Sequence, residues 1–283
     1  MNVLIACEES QTVCKAFREK GHNAFSCDIQ EPSGGHPEWH ILGDVLPLIN
    51  GNCEFTTMDG TKHVISGKWD LLIAHPPCTY LSNAGAARLY KKINGRSYVE
   101  LERFNNGFDA KEFFLKFLNA SADRIAVENP IPSGVYRLPK YSQIIQPYEY
   151  GHPYSKKTCL WLKGLPPLKP TKIVKPMCSW VSGGSKKADG TPRENCGTTF
   201  RDSKRKSKTF EGVAEAMAEQ WGDKMNWISV KEQLPLERQI VYTKIDDERG
   251  IRNEQKLVYH SNLWWLPDMS MYVYYTPTHW RKI

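Results

Sequence analysis

Two short strings in the sequence place reactive side chains directly after apolar runs. In DLLIAHPPCTYLS the apolar run leads into two prolines and then Cys78, and in RIAVENP a second run leads into Glu128. A thiol can act as a nucleophile, and a carboxyl group can hold or orient a proton. A lone buried cysteine is usually inert, and a lone loop carboxylate is often only a helix cap or an ion-pair partner. Because both types follow apolar runs here, Cys78 and Glu128 are the candidate catalytic pair.

Alternating apolar and polar segments predict the elements that position this pair. NVLIAC and AFSCDI are predicted strands, and the residues between them have helical spacing that stops at Gly21. A strand, a helix and a strand within thirty residues are typical of a parallel α/β sheet, which binds ligands at the carboxyl ends of its strands. The remaining predicted elements are strands over 69–74, 123–127 and 158–162, and helices over 97–120 and 209–221, with Thr209 as the N-cap of the last.

The net charge of +7 is concentrated in one part of the chain. Residues 151–210 carry fourteen lysines and arginines against three acids, a balance of +11, so the rest of the chain is slightly acidic at −4. A basic block on a near-neutral body is typical of a protein that binds a polyanion, although charge runs are often only solvated loops. We predict a surface insertion over about 164–208 that contacts nucleic acid.

The eight cysteines are expected to be free thiols, because the chain is long and lacks the pattern of a secretion signal. No apolar run reaches the length needed to cross a bilayer, so we expect a cytoplasmic protein that does not bind membranes. Cys178, Cys196 and His152 could together hold zinc, but their spacing does not favour it and no metal is predicted.

Composition changes near residue 226. The last part of the chain is rich in Trp and Tyr and contains the turn-like string DDERG. We therefore predict two domains. The first covers 1–225 and the second, a small α+β or β-rich domain of unknown function, covers 226–283.

Together the two reactive strings resemble the cytosine-5 DNA methyltransferase family. In that family a Pro-Pro-Cys nucleophile and a Glu-Asn dipeptide follow successive strands of a Rossmann-like sheet that binds S-adenosylmethionine. The order of the other segments is also similar over residues 3–222, from LIACEESQ and GDV to SKKTCLWL and SKTFEGVAEAMAEQW. The chain is most similar to compact members that phages and prophages carry, some of which end in a small Trp-rich domain.

The resemblance implies an α/β fold, S-adenosylmethionine as cofactor and DNA as partner. The sequence does not give the oligomeric state, and a monomer is our expectation. Cysteine addition to carbon 6 of a flipped-out cytosine would make carbon 5 nucleophilic enough to take a methyl group, while Glu128 holds the base. The implied cofactor contacts are Ala6, Cys7, Glu8, Ser10, Asp28, Ile29, Asp44, Val45, His75 and Pro76. The implied contacts to the base and DNA are Pro77, Ser82, Asn129, Lys156, Lys157, Lys204, Arg205 and Lys206.

The sequence departs from the family pattern in the first loop, where Cys-Glu-Glu-Ser replaces the usual Phe-x-Gly-x-Gly, so the backbone must approach the cofactor differently. Thr79, Pro130 and the pair Lys156-Lys157 also replace the usual residues, and lysine lacks the bidentate fork of arginine.

Two other functions stay open. An amino-methyltransferase would place an aromatic residue directly after the prolines, where this chain has Cys78 and reaches Tyr80 two residues later. A catalytically silent DNA-binding or host-modulating protein could retain the same fold.

Overall fold

A computed structural model of the chain describes residues 1–86, 88–181, 195–198, 203–222 and 227–282; for 181, 195–198, 203 and 204 only the backbone is described. The chain forms two compact units, Met1–Gly222 and Asp223–Ile283. Within the described residues no helix combines the length and the apolar character that a membrane span requires.

Strands and helices alternate in the first unit, and the elements described in the second unit are strands. The strands are β1 (Asn2–Ala6), β2 (Asn23–Asp28), β3 (His40–Leu42), β4 (Cys53–Thr56), β5 (Lys62–Ile65), β6 (Leu71–Ala74), β7 (Tyr90–Ile93), β8 (Arg96–Val99), β9 (Ile125–Pro130), β10 (Gln143–Ile145), β11 (Tyr154–Ser155), β12 (Thr158–Lys163), β13 (Cys178–Val181), β14 (Asn195–Thr198), β15 (Ile228–Ser229), β16 (Ile240–Asp247), β17 (Gly250–His260), β18 (Leu263–Trp265) and β19 (His279–Lys282). The α-helices are α1 (Thr12–Glu19), α2 (Asn83–Ala86), α3 (Leu101–Leu118), α4 (Ser203–Ser207) and α5 (Glu211–Trp221).

A seven-stranded sheet organises the first unit, in the order β10-β12-β9-β6-β1-β2-β3. The five strands β9, β6, β1, β2 and β3 are parallel to one another. Strand β12 pairs antiparallel with β9, and β10 pairs antiparallel with β12. The chain builds outward from β1 through β2 to β3 and then returns to the other side of β1 with β6 and β9. The order therefore reverses beside β1, and a crevice for ligands is expected at the carboxyl ends of β1 and β6.

Both faces of the central strands are buried, which explains why their sequences are continuous apolar runs. Leu4 and Leu72 belong to the core on one face, together with Phe114 of α3. Ile5 and Ile73 belong to the core on the other face, which includes residues of α1 and α5. Each fully buried Leu or Ile stabilises the fold by about 1.5–3 kcal/mol, so the sheet is a rigid base for the loops at its edge.

The predicted strands and helices of this sheet are present, with two corrections. The helix expected over 97–120 begins only at Leu101, because the preceding residues form the β7–β8 hairpin around Asn94 and Gly95. The expected N-cap of the last helix, Thr209, is wrong, since α5 begins after Phe210 and has no side-chain cap.

Part of the basic segment 151–210 forms a small three-stranded sheet, β11-β13-β14, followed by α4. The predicted insertion includes residues 182–194 and 199–202, which lie outside the described residues. Six cysteines are free thiols, as expected, but Cys178 is disulfide-bonded. It lies on β13, which pairs with β14, the strand that contains Cys196.

The second unit is β-rich in its described part. Its five strands have the order β15-β19-β16-β17-β18, and β16 and β17 form a hairpin at the string DDERG. Its core contains Trp264, Trp280, Val241 and Leu257. The expected boundary at 225/226 falls among residues 223–226, which lie outside the described residues.

Candidate active site

The carboxyl ends of β6 and β9 bring His75 and Glu128 together. The two strands pair in parallel with Ala74 opposite Val127, so the next residue on each strand is an ionisable one. His75 donates a hydrogen bond from Nδ1 to Oε2 of Glu128 over 2.8 Å, and the side chains are only 11% and 13% exposed. Among the described residues no hydrogen bond reaches the other carboxylate oxygen, Oε1, or the buried His75 Nε2. The pair therefore keeps one acceptor and one ring nitrogen available for a ligand.

The opposite charges of His75 and Glu128 stabilise each other, while burial disfavours both. Burial by itself lowers the pKa of His75, but the hydrogen bond and charge of Glu128, with the charge of Glu8, raise that pKa above its ordinary value. Burial likewise raises the pKa of Glu128, yet His75 and the charge of Lys156 hold it below the ordinary value. The site thus favours an imidazolium facing a carboxylate.

Cys78 lies in the same electrostatic environment. Its side chain is half-buried, and the preceding Pro76 and Pro77 are buried and exposed, respectively. Burial and the charge of Glu128 raise the pKa of Cys78, while the charge of Lys156 opposes that rise. The resting group is therefore a thiol, and anything that offsets the Glu128 charge favours the reactive thiolate.

Lys156 and helix α5 close one side of the site. Lys156 precedes β12 and is half-buried, whereas Lys157 is exposed. A small cavity of about 20 Å³ separates the strand ends from α5 and the two residues before it. Its lining consists of Glu128, Ile145, Pro147, Lys156, Thr158, Thr209, Phe210, Val213 and Met217.

The loop after β1 has an unusual backbone. Cys7 and Gln11 have φ values of 58° and 57°, in the left-handed region that glycine adopts most easily. This turn directs the buried Glu8 carboxylate to the start of α1, where it accepts hydrogen bonds from the backbone amides of Val13 at 2.7 Å and Cys14 at 3.1 Å. Ser10 is also buried, with its hydroxyl 3.1 Å from that of Thr12. Glu8 and Ser10 are thus engaged within the fold, and Ala6 is fully buried in β1.

A second group of predicted residues lies at the ends of β2 and β3. Asp28 and Asp44 each accept a hydrogen bond from the backbone two residues further on, and both raise the pKa of Cys7 beyond the increase that burial causes. Ile29 is 79% exposed, whereas Val45 is buried. Two carboxylates beside an exposed apolar side chain are therefore grouped on the far side of β1 from Cys78.

Of the predicted DNA contacts, Asn129 and Ser82 are buried, whereas Arg205 is exposed. Asn129 is buried, donates to the Pro130 carbonyl and leaves its Oδ1 without a partner among the described residues. Ser82 is also buried, and its hydroxyl accepts a hydrogen bond from Gly85. Arg205 lies over the Trp180 ring at 5.3 Å, Lys206 is half-buried, and the side chain of Lys204 lies outside the described residues. His152, considered for zinc, accepts a hydrogen bond from the Gly212 amide at the start of α5.

Sequence reasoning missed two contacts. His75 was expected to bind cofactor, yet its partner is Glu128; the signal was an ionisable residue directly after each of two predicted strands, 69–74 and 123–127. Arg103 was not predicted at all. Its guanidinium donates to the carbonyls of Thr79 and Gly85 and lies 4.8 Å from the centre of the Tyr80 ring, so it fixes the loop that contains Cys78.

Comparison with known proteins finds distant structural similarity. No family model matches the chain, and no curated protein matches it. It is similar over 62% of its length to an E. coli protein described as a prophage-encoded DNA modification methyltransferase (12% identity, TM-score 0.33, 52% of that chain covered). It is similar over 62% of its length to the Entamoeba histolytica methyltransferase EhMeth (14% identity, TM-score 0.36, 57% of that chain covered).

The chain therefore spans just over half the length of either methyltransferase. Because both TM-scores are below 0.5, the function proposed below rests on the geometry of the site.

Proposed function

We propose that the protein is an S-adenosylmethionine-dependent DNA methyltransferase that methylates carbon 5 of cytosine through a covalent Cys78 adduct. The observation that carries this proposal is the grouping of three residues at adjacent strand ends. The charges of Glu128 and Lys156 both act on the Cys78 thiol, in the order and spacing of the family pattern described above. A nucleophile, a base-binding carboxylate and a cation are the groups that this reaction needs.

In the proposed reaction the Cys78 thiol gives its proton to water, and the resulting thiolate forms a bond to carbon 6 of cytosine. The electron pair of the 5,6 double bond then makes carbon 5 nucleophilic. S-adenosylmethionine, when bound, supplies the methyl group that carbon 5 takes up. A base removes the carbon-5 proton, the double bond forms again, and the sulfur leaves with the electron pair of its bond to carbon 6.

Glu128 has the free oxygen that base binding requires. Oε2 is held by His75, so Oε1 is free to accept a hydrogen bond from the exocyclic amine of cytosine. As the base offsets the Glu128 charge, one cause of the raised Cys78 pKa is removed. Base binding would thereby activate the nucleophile.

The residues on the far side of β1 fit the proposed cofactor. Asp28 and Asp44 offer acceptors for ribose hydroxyls, and the exposed Ile29 offers an apolar surface for a base ring. In the first loop, Glu9 has a buried carboxylate oxygen, Oε2, without a partner among the described residues. Such an orphaned acceptor suits a cationic or donor group, which the amino-acid part of the cofactor contains.

DNA is the proposed substrate because the basic segment 151–210, which contains Lys156 of the site, also carries exposed cations. A cytosine in a duplex must leave the stack to reach Cys78, at a cost of a few kcal/mol. Lys157 is exposed and can contact phosphates, which position a duplex without reading its sequence.

Trapping on DNA that contains 5-fluorocytosine tests the proposal. Fluorine at carbon 5 cannot be removed as a proton, so elimination stops and the enzyme stays attached to the DNA. We expect a covalent complex with the wild-type protein and S-adenosylmethionine, and none with Cys78→Ser. A complex that survives this substitution, or methyl groups found on the exocyclic nitrogen, would refute the proposal. Binding without any methyl incorporation would indicate a silent DNA-binding protein.

A further inference from the structure

The β7–β8 hairpin, residues 90–99, forms a two-stranded ribbon that buries none of its residues. All ten residues from Tyr90 to Val99 are exposed. Asn94 and Gly95 form its turn, with φ values of 50° and 77°. Two consecutive left-handed residues are typical of the type I′ turn that joins paired strands tightly, and Asn-Gly is its preferred sequence.

The β4–β5 hairpin shows what an ordinary hairpin does in this fold. It buries Phe55 and Ile65, at 8% and 3% exposure, in the core beside the sheet. The ribbon instead leaves Ile93 and Tyr98 about half exposed. Isolated two-stranded hairpins are marginally stable in water, and exposed apolar side chains on such an element indicate a binding surface.

The ribbon is also uniformly basic. Lys91, Lys92 and Arg96 provide three cations, and no acidic residue occurs between Tyr90 and Val99. The register pairs Lys91 with Tyr98 and Ile93 with Arg96, so these four side chains share one face. That face combines cations with an aromatic ring, as nucleic-acid surfaces do. A second copy of the chain would instead bring like charges together.

The base of the ribbon is fixed to the loop that contains Cys78. Leu89, directly before the ribbon, is buried, and its carbonyl accepts a hydrogen bond from the Glu100 amide at 2.8 Å. Arg103, three residues further on, donates to the Thr79 carbonyl at 2.8 Å. These hydrogen bonds therefore connect the base of the ribbon to the loop that contains Cys78.

We propose that this ribbon enters the major groove of duplex DNA beside the target cytosine and reads its sequence, with Arg96 and Asn94 at the tip. The inference deepens the proposed function and rests on it for the identity of the neighbouring base. The major groove is about 12 Å wide and admits a two-stranded ribbon, whereas the minor groove is about 6 Å wide and distinguishes little beyond A·T from G·C. Arginine binds guanine in two places and asparagine binds adenine in the same way, so both tip side chains suit base reading.

Selection from a randomised duplex pool tests this role with the full chain and without any need for catalysis. We expect the wild-type protein to enrich a preferred sequence. Arg96→Ala should weaken discrimination at one guanine about 10- to 100-fold, because a bidentate contact is lost. Asn94→Gly keeps the left-handed turn and should relax discrimination at an adenine. Lys62→Ala, which removes an exposed cation from the β4–β5 hairpin, is the matched control and should change nothing.

Three outcomes would overturn the inference. They are a wild-type protein that enriches no sequence, tip variants that select the same sequence as Lys62→Ala, and tip variants that lose affinity equally for all sequences. The last would mean that the ribbon only holds phosphates. Thermal melting of each variant checks folding, and the ribbon should tolerate these changes because it is exposed. Selection measures binding alone. If trapping through Cys78 failed, the selection result would therefore still show whether the ribbon reads sequence.

Discussion

Glu8 and Glu128 are two carboxylates that both act on His75, and the fold uses them differently. Glu8 gives its two oxygens to the first amides of α1, and burial raises its pKa. Glu128 gives one oxygen to His75, keeps the other free, and has a lowered pKa. A carboxylate whose acceptors are all satisfied by backbone amides serves the structure, whereas one with a free acceptor in a buried, charged setting is placed for chemistry. The contrast assigns stability to Glu8 and base binding to Glu128.

The strongest test of this contrast is Glu128→Gln. The amide keeps the shape of the side chain but removes the charge that pairs with His75. Because a hydrogen bond to the reacting base is lost, we expect turnover to fall about 100-fold or more, while DNA affinity changes little. Single-turnover methyl transfer and fluorescence anisotropy measure the two quantities. Equal losses of turnover and affinity would contradict the role assigned to Glu128.

Glu8→Ala should lower the stability of the fold and leave turnover nearly unchanged. It removes the acceptor for two amides at the start of α1, so we expect the free energy of unfolding to fall by about 2–3 kcal/mol. Denaturant titration measures that loss. At a temperature where the variant stays folded, the turnover number should remain within a few-fold of the wild-type value. A stable variant without activity would show that Glu8 also serves the reaction.

We expect a smaller effect, on the free energy of unfolding, from His75→Asn. Asparagine retains a donor near Glu128 but cannot take up a proton. The raised pKa of His75 stabilises the fold below its unfolded value of 6.5, and this contribution is lost as pH rises through the folded pKa. The lowered pKa of Glu128 stabilises the fold above 4.5, and this contribution is lost as pH falls through the folded pKa.

The wild-type advantage over His75→Asn should therefore be greatest between pH 4.5 and 6.5 and should shrink on either side of that range. Urea titrations across the pH range measure this difference. Glu8 and Lys156, which also act on His75, are present in both proteins. A difference that does not vary with pH would show that the histidine acts only through its shape.

The central sheet was predictable because its buried strands are continuous apolar runs, from NVLIA in β1 to LLIA in β6. The same logic placed Cys78 and Glu128 at one edge, since parallel strands end together. The β7–β8 hairpin was not predicted, although Asn94-Gly95 is a turn signal. Because all of its residues are exposed, no alternation of apolar and polar residues distinguished Ser97–Val99 from the helix that follows.

The roles of the first loop could not be predicted for a different reason. Glu8 reaches the amide of Val13, five residues away, only because Cys7 and Gln11 turn the backbone into the left-handed region. Sequence patterns locate strands and helices by the burial of their side chains, but they do not locate such a turn when glycine is absent. The pairing of His75 with Glu128 likewise depends on the register of β6 against β9, which pattern alone does not give.

The left-handed conformation of Cys7 has an energetic consequence. A side chain in that conformation costs about 1 kcal/mol or more that glycine would avoid, and a single substitution would suffice to remove the cost. The chain keeps a thiol there, close enough to Asp28 and Asp44 that their charges raise its pKa. The first turn of the sheet thus carries a conformational cost together with a side chain that glycine would not offer there.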